Sequence, residues 1–338
     1  MSPQDALRRV GFLLERARES PYRVAAFRRA AEAIRLIPDD ELRERAGAGT
    51  LKQIKGIGDS SAAIIGQALR GVVPAYLVTL EQEHGAPLSW AGAELYAAVI
   101  GDLHVHSDWS DGGSPIEEMV LTAVELGHEW MALTDHSPRL TIANGLSRER
   151  LTQQLGRVEA INASLGGSFR LLKGIEVDIN LDGSLDQDPD LLEQLDVVTA
   201  SVHSKLRQPA FEMTPRMLAA VRNPRTNVLG HCTGQLVTGG RGKRPESQFD
   251  AERVFRACLE NDVAVEINSR PERQDPPDEL IELARDLGCL FAIDSDAHAP
   301  GQLDMKLLGC QRAERLRIPA ERIVTTWPVE DLLAWAKA

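Results

Sequence analysis

The stretch GDLHVHSDWSDGG, residues 101–113, raises a chemical question. His104 and His106 alternate, so a β-strand would point both at one face, and Asp111 follows on a Ser-Asp-Gly-Gly turn. That arrangement suits a metal ion better than an apolar core. The pattern recurs along the chain. Asp135 and His136 end one apolar run in TDHS, Glu176 stands in GIEVD, and His203 ends ASVHS. His231 follows in LGHC, then Asp296 and His298 in DSDAH. Of the eight histidines, only His84 and His128 stand away from such run ends, and both read as solvent-exposed. Imidazole and carboxylate without thiolate suit Zn, Mn or Fe rather than a Cys-rich structural zinc site. The set is too large for one ion and large enough for two or three. Two cations about 3.5–4 Å apart can clamp the attacking and leaving oxygens of an in-line displacement and lower the pKa of water. No serine or cysteine nucleophile is then required, and no GxSxG elbow is present. Phosphoester hydrolysis is the natural reaction class. Deamination and peptide hydrolysis stay open on the chemistry alone.

Ligands this far apart in sequence meet only if the elements between them converge. From residue 98 onward, strand-like runs alternate with helical stretches: AAVIGDLHV, EWMALT, RLLKGIEV, LDVVTASV, TNVLG, DVAVEIN and CLFAID, with a weaker eighth run, RIVTT. Alternation of this kind implies a parallel sheet, and seven or eight units imply a barrel. Barrel active sites sit at the C-terminal strand ends, which is where the candidate ligands stand. Residues 1–75 differ in texture. ALRRVGFLLERAR and YRVAAFRRAAEAIRLI carry apolar residues at three- and four-residue spacing and read as helices. The Pro- and Gly-bearing EHGAPLSWAGAE, residues 83–94, reads as linker.

Charge divides the chain in the same way. The net charge is −12, which argues against a general nucleic-acid coat. Yet residues 1–75 hold 13 Lys/Arg against 9 Asp/Glu, about +4, leaving about −16 on the remainder. The four cysteines form no CxxC pair, which fits a reduced cytoplasmic protein. The charged, amphipathic opening residues are unlike a secretory signal, and no apolar run is long enough to span a bilayer.

HVHSDWSDG, TDHS, GIEVDI, ASVHS, GH and DSDAH resemble the motifs of the PHP (polymerase and histidinol phosphatase) superfamily across residues 101–338. DHSPRLTIANGLS, GIEVDINLDGSLD, EMTPRMLAAVRNP and VEINSRPER are similar to the C-terminal PHP domain of bacterial family X DNA polymerases. The resemblance implies an α/β fold, a distorted (β/α)7 barrel over 98–338 with a trinuclear site. His104, His106, Glu176 and Asp296 would hold one divalent ion. Glu176, His203 and His231 would hold a second, with Glu176 bridging, and Asp111, His136 and His298 the third. SPYRVAAFRRAAEAI and LKQIKGIGDSSAAII resemble the small all-α helix-hairpin-helix DNA-binding domain of the same polymerases, over residues 1–82, with 83–97 as linker. Gly56 and Gly58 would make the hairpin turn and let the backbone approach DNA phosphate. Lys52, Lys55, Arg28 and Arg29 would add phosphate contacts.

Departures from that branch matter. Between the two regions there is no room for palm, fingers and thumb, so no polymerase of this type is expected. Ile64 and Ser60 stand where members with deoxyribose-phosphate lyase activity carry lysines, so no Schiff-base chemistry is expected there. Cys232 follows His231 where the branch usually has proline. Glu176, His136, Asp135 and Arg270 form the expected catalytic set, with Asp135 orienting a ligand histidine or capping a helix. Arg270 follows the sixth run and is suited to bidentate phosphate binding. Lys205, Arg207 and Arg241 are weaker substrate candidates, and Asn268 a pocket support. The expected function is metal-dependent phosphoester hydrolysis at DNA ends in repair: 3′–5′ exonuclease, 3′-phosphatase or phosphodiesterase, with abasic-site cleavage open. The alternatives are a small-molecule phosphatase of the histidinol-phosphate type and a DNA-binding scaffold with a structural metal.

Overall fold

A computed structural model describes residues 1–239 and 242–337. Arg241, one of the weaker substrate candidates, lies outside the described residues. The chain divides into two compact units, Met1–Pro87 with Pro300–Gln302, and Leu88–Ala299 with Leu303–Ala338.

The first unit is helical. Its helices are α1 (Pro3–Arg16), α2 (Pro21–Ile34), α3 (Asp39–Gly47), α4 (Asp59–Leu69) and α5 (Ala75–His84). Ser2 caps α1: its hydroxyl accepts from the Asp5 amide at 3.1 Å, and Asp5 reaches back to the Ser2 amide. Leu7, Val10, Leu13 and Leu14 of α1 are buried, as are Phe27 and Ile34 of α2, Ile64 and Ile65 of α4, and Leu77 and Leu80 of α5. Each such side chain contributes about 2 kcal/mol through apolar burial. Gly56 has φ +99°, a left-handed conformation that glycine adopts freely, and it turns the chain towards α4. His84 ends α5 rather than standing in a linker.

Arg28 was expected at a DNA phosphate, and the fold places it otherwise. Its guanidinium lies over Gly11 and makes a two-pronged bond with the Glu15 carboxylate, Nε to Oε1 at 2.9 Å and Nη2 to Oε2 at 2.6 Å. Both side chains are buried, at 10% and 3% exposure. The reason is packing: α1 and α2 bring the two side chains together where water is excluded.

The second unit holds α6 (Ala93–Ala98), α7 (Ile116–Glu125), α8 (Arg148–Leu165), α9 (Pro189–Leu192), α10 (Ala210–Val221), α11 (Ala251–Glu260), α12 (Asp278–Leu287), α13 (Lys306–Arg315) and α14 (Val329–Ala336). Its strands are β1 (Trp130–Leu133), β2 (Arg170–Asp178), β3 (Val197–Ser201), β4 (Val228–Leu229), β5 (Ala264–Asn268) and β6 (Phe291–Asp294). They form one parallel sheet in sequential order. Strand residues are buried almost throughout, as expected of parallel strands covered on both faces. Gly230 lets β4 approach β3, since a Cβ there would stand 2.3 Å from the Ser201 hydroxyl.

The run AAVIGDLHV departs from a regular strand. It leaves α6 at Ala98 and then extends, and Val105 alone bridges both Leu133 at the end of β1 and Ala297 just past β6. That segment takes the seventh strand position and closes the sheet edge to edge. Leu95 and Val99, read as linker and strand, pack in the barrel's apolar core instead. The RIVTT run gives one bridge, Ile323 to Phe291, and then a 3-10 turn. His128, expected exposed, is buried at 6%. No helix among the described residues is long and apolar enough to cross a membrane.

Arg28→Ala leaves the Glu15 carboxylate buried without its counter-ion. We expect it to lower the unfolding free energy by about 3 kcal/mol, read as a shifted urea midpoint of the helical unit.

Candidate metal centre

Each strand end delivers one or two donors to the same point. Glu176, near the end of β2, is 1% exposed and lies at the centre. Its two oxygens face different partners. Oε2 stands 3.3 Å from His104 Nε2, 3.6 Å from His106 Nε2 and 2.9 Å from His136 Nδ1. Oε1 stands 3.1 Å from His203 Nε2 and 2.9 Å from His231 Nε2. A carboxylate shared in this way can bridge two cations.

Asp111 and Asp296 complete the ring. Asp111 Oδ1 is 3.5 Å from His136 Nε2, 3.4 Å from His298 Nε2 and 4.0 Å from His106 Nδ1. Asp296 turns Oδ1 to the cluster, 3.5 Å from His106 Nε2. Its Oδ2 accepts from Asn268 Nδ2 at 3.0 Å and Arg273 Nε at 2.9 Å. Asp296 adopts φ +50°, a strained left-handed conformation for a non-glycine residue. Such strain persists where the surroundings over-determine the conformation, as the two bonds to Oδ2 do here.

The donor atoms fall into four overlapping groups in which all lie within 4.8 Å of one another: His106, Asp111, His136 and His298; His104, Glu176 and His231; His104, His106 and Asp296; His136, Glu176 and His203. Both Glu176 oxygens, His104 Nε2, both nitrogens of His106 and both of His203 are buried without a satisfied hydrogen-bond geometry. Orphaned polar atoms at this density are costly unless a ligand completes them. Imidazole and carboxylate donors fit divalent cations such as Zn, Mn or Fe.

The electrostatics fit that reading. Burial works against a charged Glu176, yet His203, His104 and His136 hold its carboxyl well below the usual range. Burial likewise opposes charge on His104 and His203. The carboxylates Glu176, Glu266 and Asp296 raise His104 well above the ordinary value, and Glu176 and Asp178 lift His203 to about 9. His106 goes the other way, to about 3, through burial and the neighbouring His298 and His136.

Sequence reasoning missed the carboxylate that braces this cluster. Glu266, fully buried in β5, takes His104 Nδ1 at 2.5 Å and accepts the His231 backbone amide at 2.5 Å. A carboxylate behind a histidine fixes its tautomer, leaving Nε2 lone-pair-forward to a metal. The signal lay in VEIN, an acid flanked by the apolar Val265 and Ile267. Asp178 plays a similar part at His203, accepting that residue's amide at 3.0 Å.

Asp135 departs from expectation. It neither orients a ligand histidine nor caps a helix. Its carboxylate accepts from the Ser107 amide and hydroxyl, the Ser110 hydroxyl and Gln154 Nε2, all within 2.8 Å. It therefore fixes the loop that presents Asp111. Arg270 does reach the cluster, with Nη1 3.3 Å from His298 Nδ1 and 3.8 Å from Asp296 Oδ1. Lys205 and Arg207 are exposed in the loop after His203.

In the helical unit, Lys55 and Arg29 are exposed near the Gly56–Gly58 turn. Lys52 is exposed too, and pairs with Asp59 at 2.6 Å. Gly58 precedes α4, and its amide is taken by the Ser61 hydroxyl at 2.9 Å. Ile64 helps line a cavity of about 700 Å³ beside this turn with Phe27 and Tyr76, and no lysine lines it.

Two measurements follow from the cluster. Glu266→Gln keeps the side-chain shape but can no longer accept at both positions, so metal affinity should fall about 10- to 100-fold, read by competition with a chelator. Metal loading should also release protons, about two if His104 and His203 both discharge. The surrounding carboxylates favour the charged form of both histidines, so apparent affinity should rise with pH, including through about 9, where His203 discharges. Titration calorimetry in buffers of different ionisation enthalpy counts those protons.

Comparison with known proteins fits this geometry. A family model described as the PHP domain matches residues 102–270, and one described as a helix-hairpin-helix domain matches residues 3–71. The DNA polymerase/3′-5′ exonuclease PolX of Bacillus subtilis is 36% identical over 237 residues, which is 70% of this chain and 41% of that protein. The chain thus spans less than half the length of that relative. A probable phosphatase of Aliivibrio fischeri is 28% identical over 246 residues, 68% of this chain and 90% of its own. The solved histidinol phosphate phosphatase of Lactococcus lactis, complexed with zinc, L-histidinol and phosphate, gives a TM-score of 0.48 at 20% identity, covering 64% of this chain and 92% of that one. Half of the chain falls under the PHP description, so this protein belongs to the PHP domain family and carries a helix-hairpin-helix domain before it.

Proposed function

We propose that this protein is a metal-dependent phosphoesterase that processes DNA ends, with the helical unit, residues 1–82, as its DNA-binding module and the barrel, residues 98–338, as its hydrolase. The observation that carries the reading is the convergence of imidazoles and carboxylates on Glu176. His104, His106, Glu176 and Asp296 would hold one divalent ion, Glu176, His203 and His231 a second, and Asp111, His136 and His298 a third. Divalent cations there supply Lewis acidity for phosphoryl oxygens and lower the pKa of water. The protein's own groups do the rest. Glu176 spans the two halves of the cluster. Glu266 and Asp178 hold His104 and His203 in place. Arg270, at the edge beside His298, is placed to bind a phosphate oxygen.

The DNA assignment rests on the helix-hairpin-helix match and on the likeness to a polymerase/exonuclease. Lys52, Lys55, Arg29, Gly56 and Gly58 are its proposed phosphate contacts, and a cytoplasmic location is proposed with them. Likeness to probable phosphatases along nearly their whole length supports a second reading, hydrolysis of small phosphomonoesters.

A substrate panel with Mn-loaded protein separates the two. It sets 3′-hydroxyl and 3′-phosphate duplex ends, a gap and an abasic site beside histidinol phosphate and a generic phosphomonoester. We expect turnover at DNA termini, and its loss in Glu176→Gln by more than the roughly 100-fold that an outer-shell change costs. Turnover of small phosphates alone would favour the second reading. Wild-type turnover and metal content in Glu176→Gln would remove the proposed site.

A further inference from the structure

Arg270 has a second side. It also lines a cavity of about 300 Å³ between the 268–274 segment and α13. Leu308, Gln311, Arg312 and Arg315 line it from one face of α13, at the three- and four-residue spacing of a single helical stripe. Pro271 faces them from the β5 loop. The walls thus combine guanidinium groups with an amide and two apolar surfaces. None of these residues belongs to the metal cluster except at its border, where Arg270 serves both spaces.

Charge sets the ligand class. Three arginines line the cavity, while the acid paired with Arg312 and Arg315 is Asp278, at 3.1 and 2.7 Å. The balance is cationic within an acidic barrel. Asp278 is 40% exposed, so an anion can share or replace it at little cost. Arg312 is held further by the Pro276 carbonyl, while Arg315 keeps its side chain 55% exposed. An exposed guanidinium at the wall of an open, cationic space readily donates to phosphate oxygens. The volume fits a sugar-phosphate unit, and Pro271 and Leu308 offer apolar surface to a sugar or base.

We infer that this cavity is a second anion subsite, which takes the sugar-phosphate of the nucleotide next to the scissile phosphate, with Arg270 standing between the two phosphates. The inference rests on the phosphoesterase reading above and adds to it a specificity device: a substrate with a neighbouring nucleotide gains contacts that an isolated phosphoester lacks.

Two measurements test it. The first compares Mn-dependent hydrolysis of trithymidylate and of bis(p-nitrophenyl) phosphate, a diester with no neighbouring nucleotide. In Gln311→Ala/Arg315→Gln the ratio of kcat/KM for the first over the second should fall about 5-fold or more. An unchanged ratio overturns the inference. The second needs no turnover. Trithymidylate carrying a terminal 4-thiothymidine is photo-cross-linked to the full-length protein, and the adducts are mapped by mass spectrometry. Adducts within residues 268–274 or 308–315 support the subsite, and adducts found only elsewhere overturn it. If the wild-type protein hydrolyses neither diester, the phosphodiesterase form of that reading fails, while the cross-link still decides the subsite.

Discussion

A carboxylate at 1% exposure needs positive partners, and the second unit is arranged around that need at Glu176. Burying an unpaired charge costs several kcal/mol even after the protein relaxes. Five imidazoles from four separate segments surround it, three on one oxygen and two on the other, and His203, His104 and His136 supply the opposing charge. Those imidazoles need fixing in turn, which Glu266 does for His104 and Asp178 for His203. Support therefore runs outward in layers from one oxygen pair. Each layer uses the end of a strand, because only there do successive parallel strands bring side chains to a common point.

The candidate donors were legible in sequence because most stand at or near the end of an apolar run, with Asp111 in the turn that follows the first, and such positions rarely hold so many histidines and acids. What braces them was less visible. Glu266 is a single acid between Val265 and Ile267, and nothing local says that it faces His104 across 162 positions. Asp135 misled for the opposite reason: its neighbour His136 suggested a shared role, yet adjacent residues in an extended segment point to opposite faces. Arg28 was read by charge, and charge alone does not reveal that α1 lays Glu15 beside it. His128 was read by polarity as exposed and is buried. The seven-unit pattern foretold the barrel, but the irregular first segment could not be foreseen, because closure depends on both neighbours of Val105 at once.

Charge is also distributed with a purpose that net values conceal. The barrel is strongly acidic overall, yet guanidinium groups gather at one margin of the cluster: Arg270 beside His298, and Arg273 on Asp296. These arginines lower the cost of concentrating carboxylates at the centre. They also leave a local positive edge where an incoming phosphoester would otherwise meet repulsion.

The closure at Val105 has a further meaning. On the β6 side of this segment, among the described residues, one backbone bond joins the two, His106 N to Ala297 O at 2.9 Å. Beside it, the Asp294 carboxylate accepts from the Leu103 amide at 2.8 Å, and Asp102 accepts from Ser295 at 3.2 Å. Ordinary ladders are written in main chain and are almost indifferent to substitution. This joint is written largely in two side chains. A single substitution at Asp102 can therefore loosen or re-seat the segment that carries His104 and His106 while the strand residues of β1–β6 stay unchanged, so this seam answers to side-chain identity in a way the other strand pairs do not.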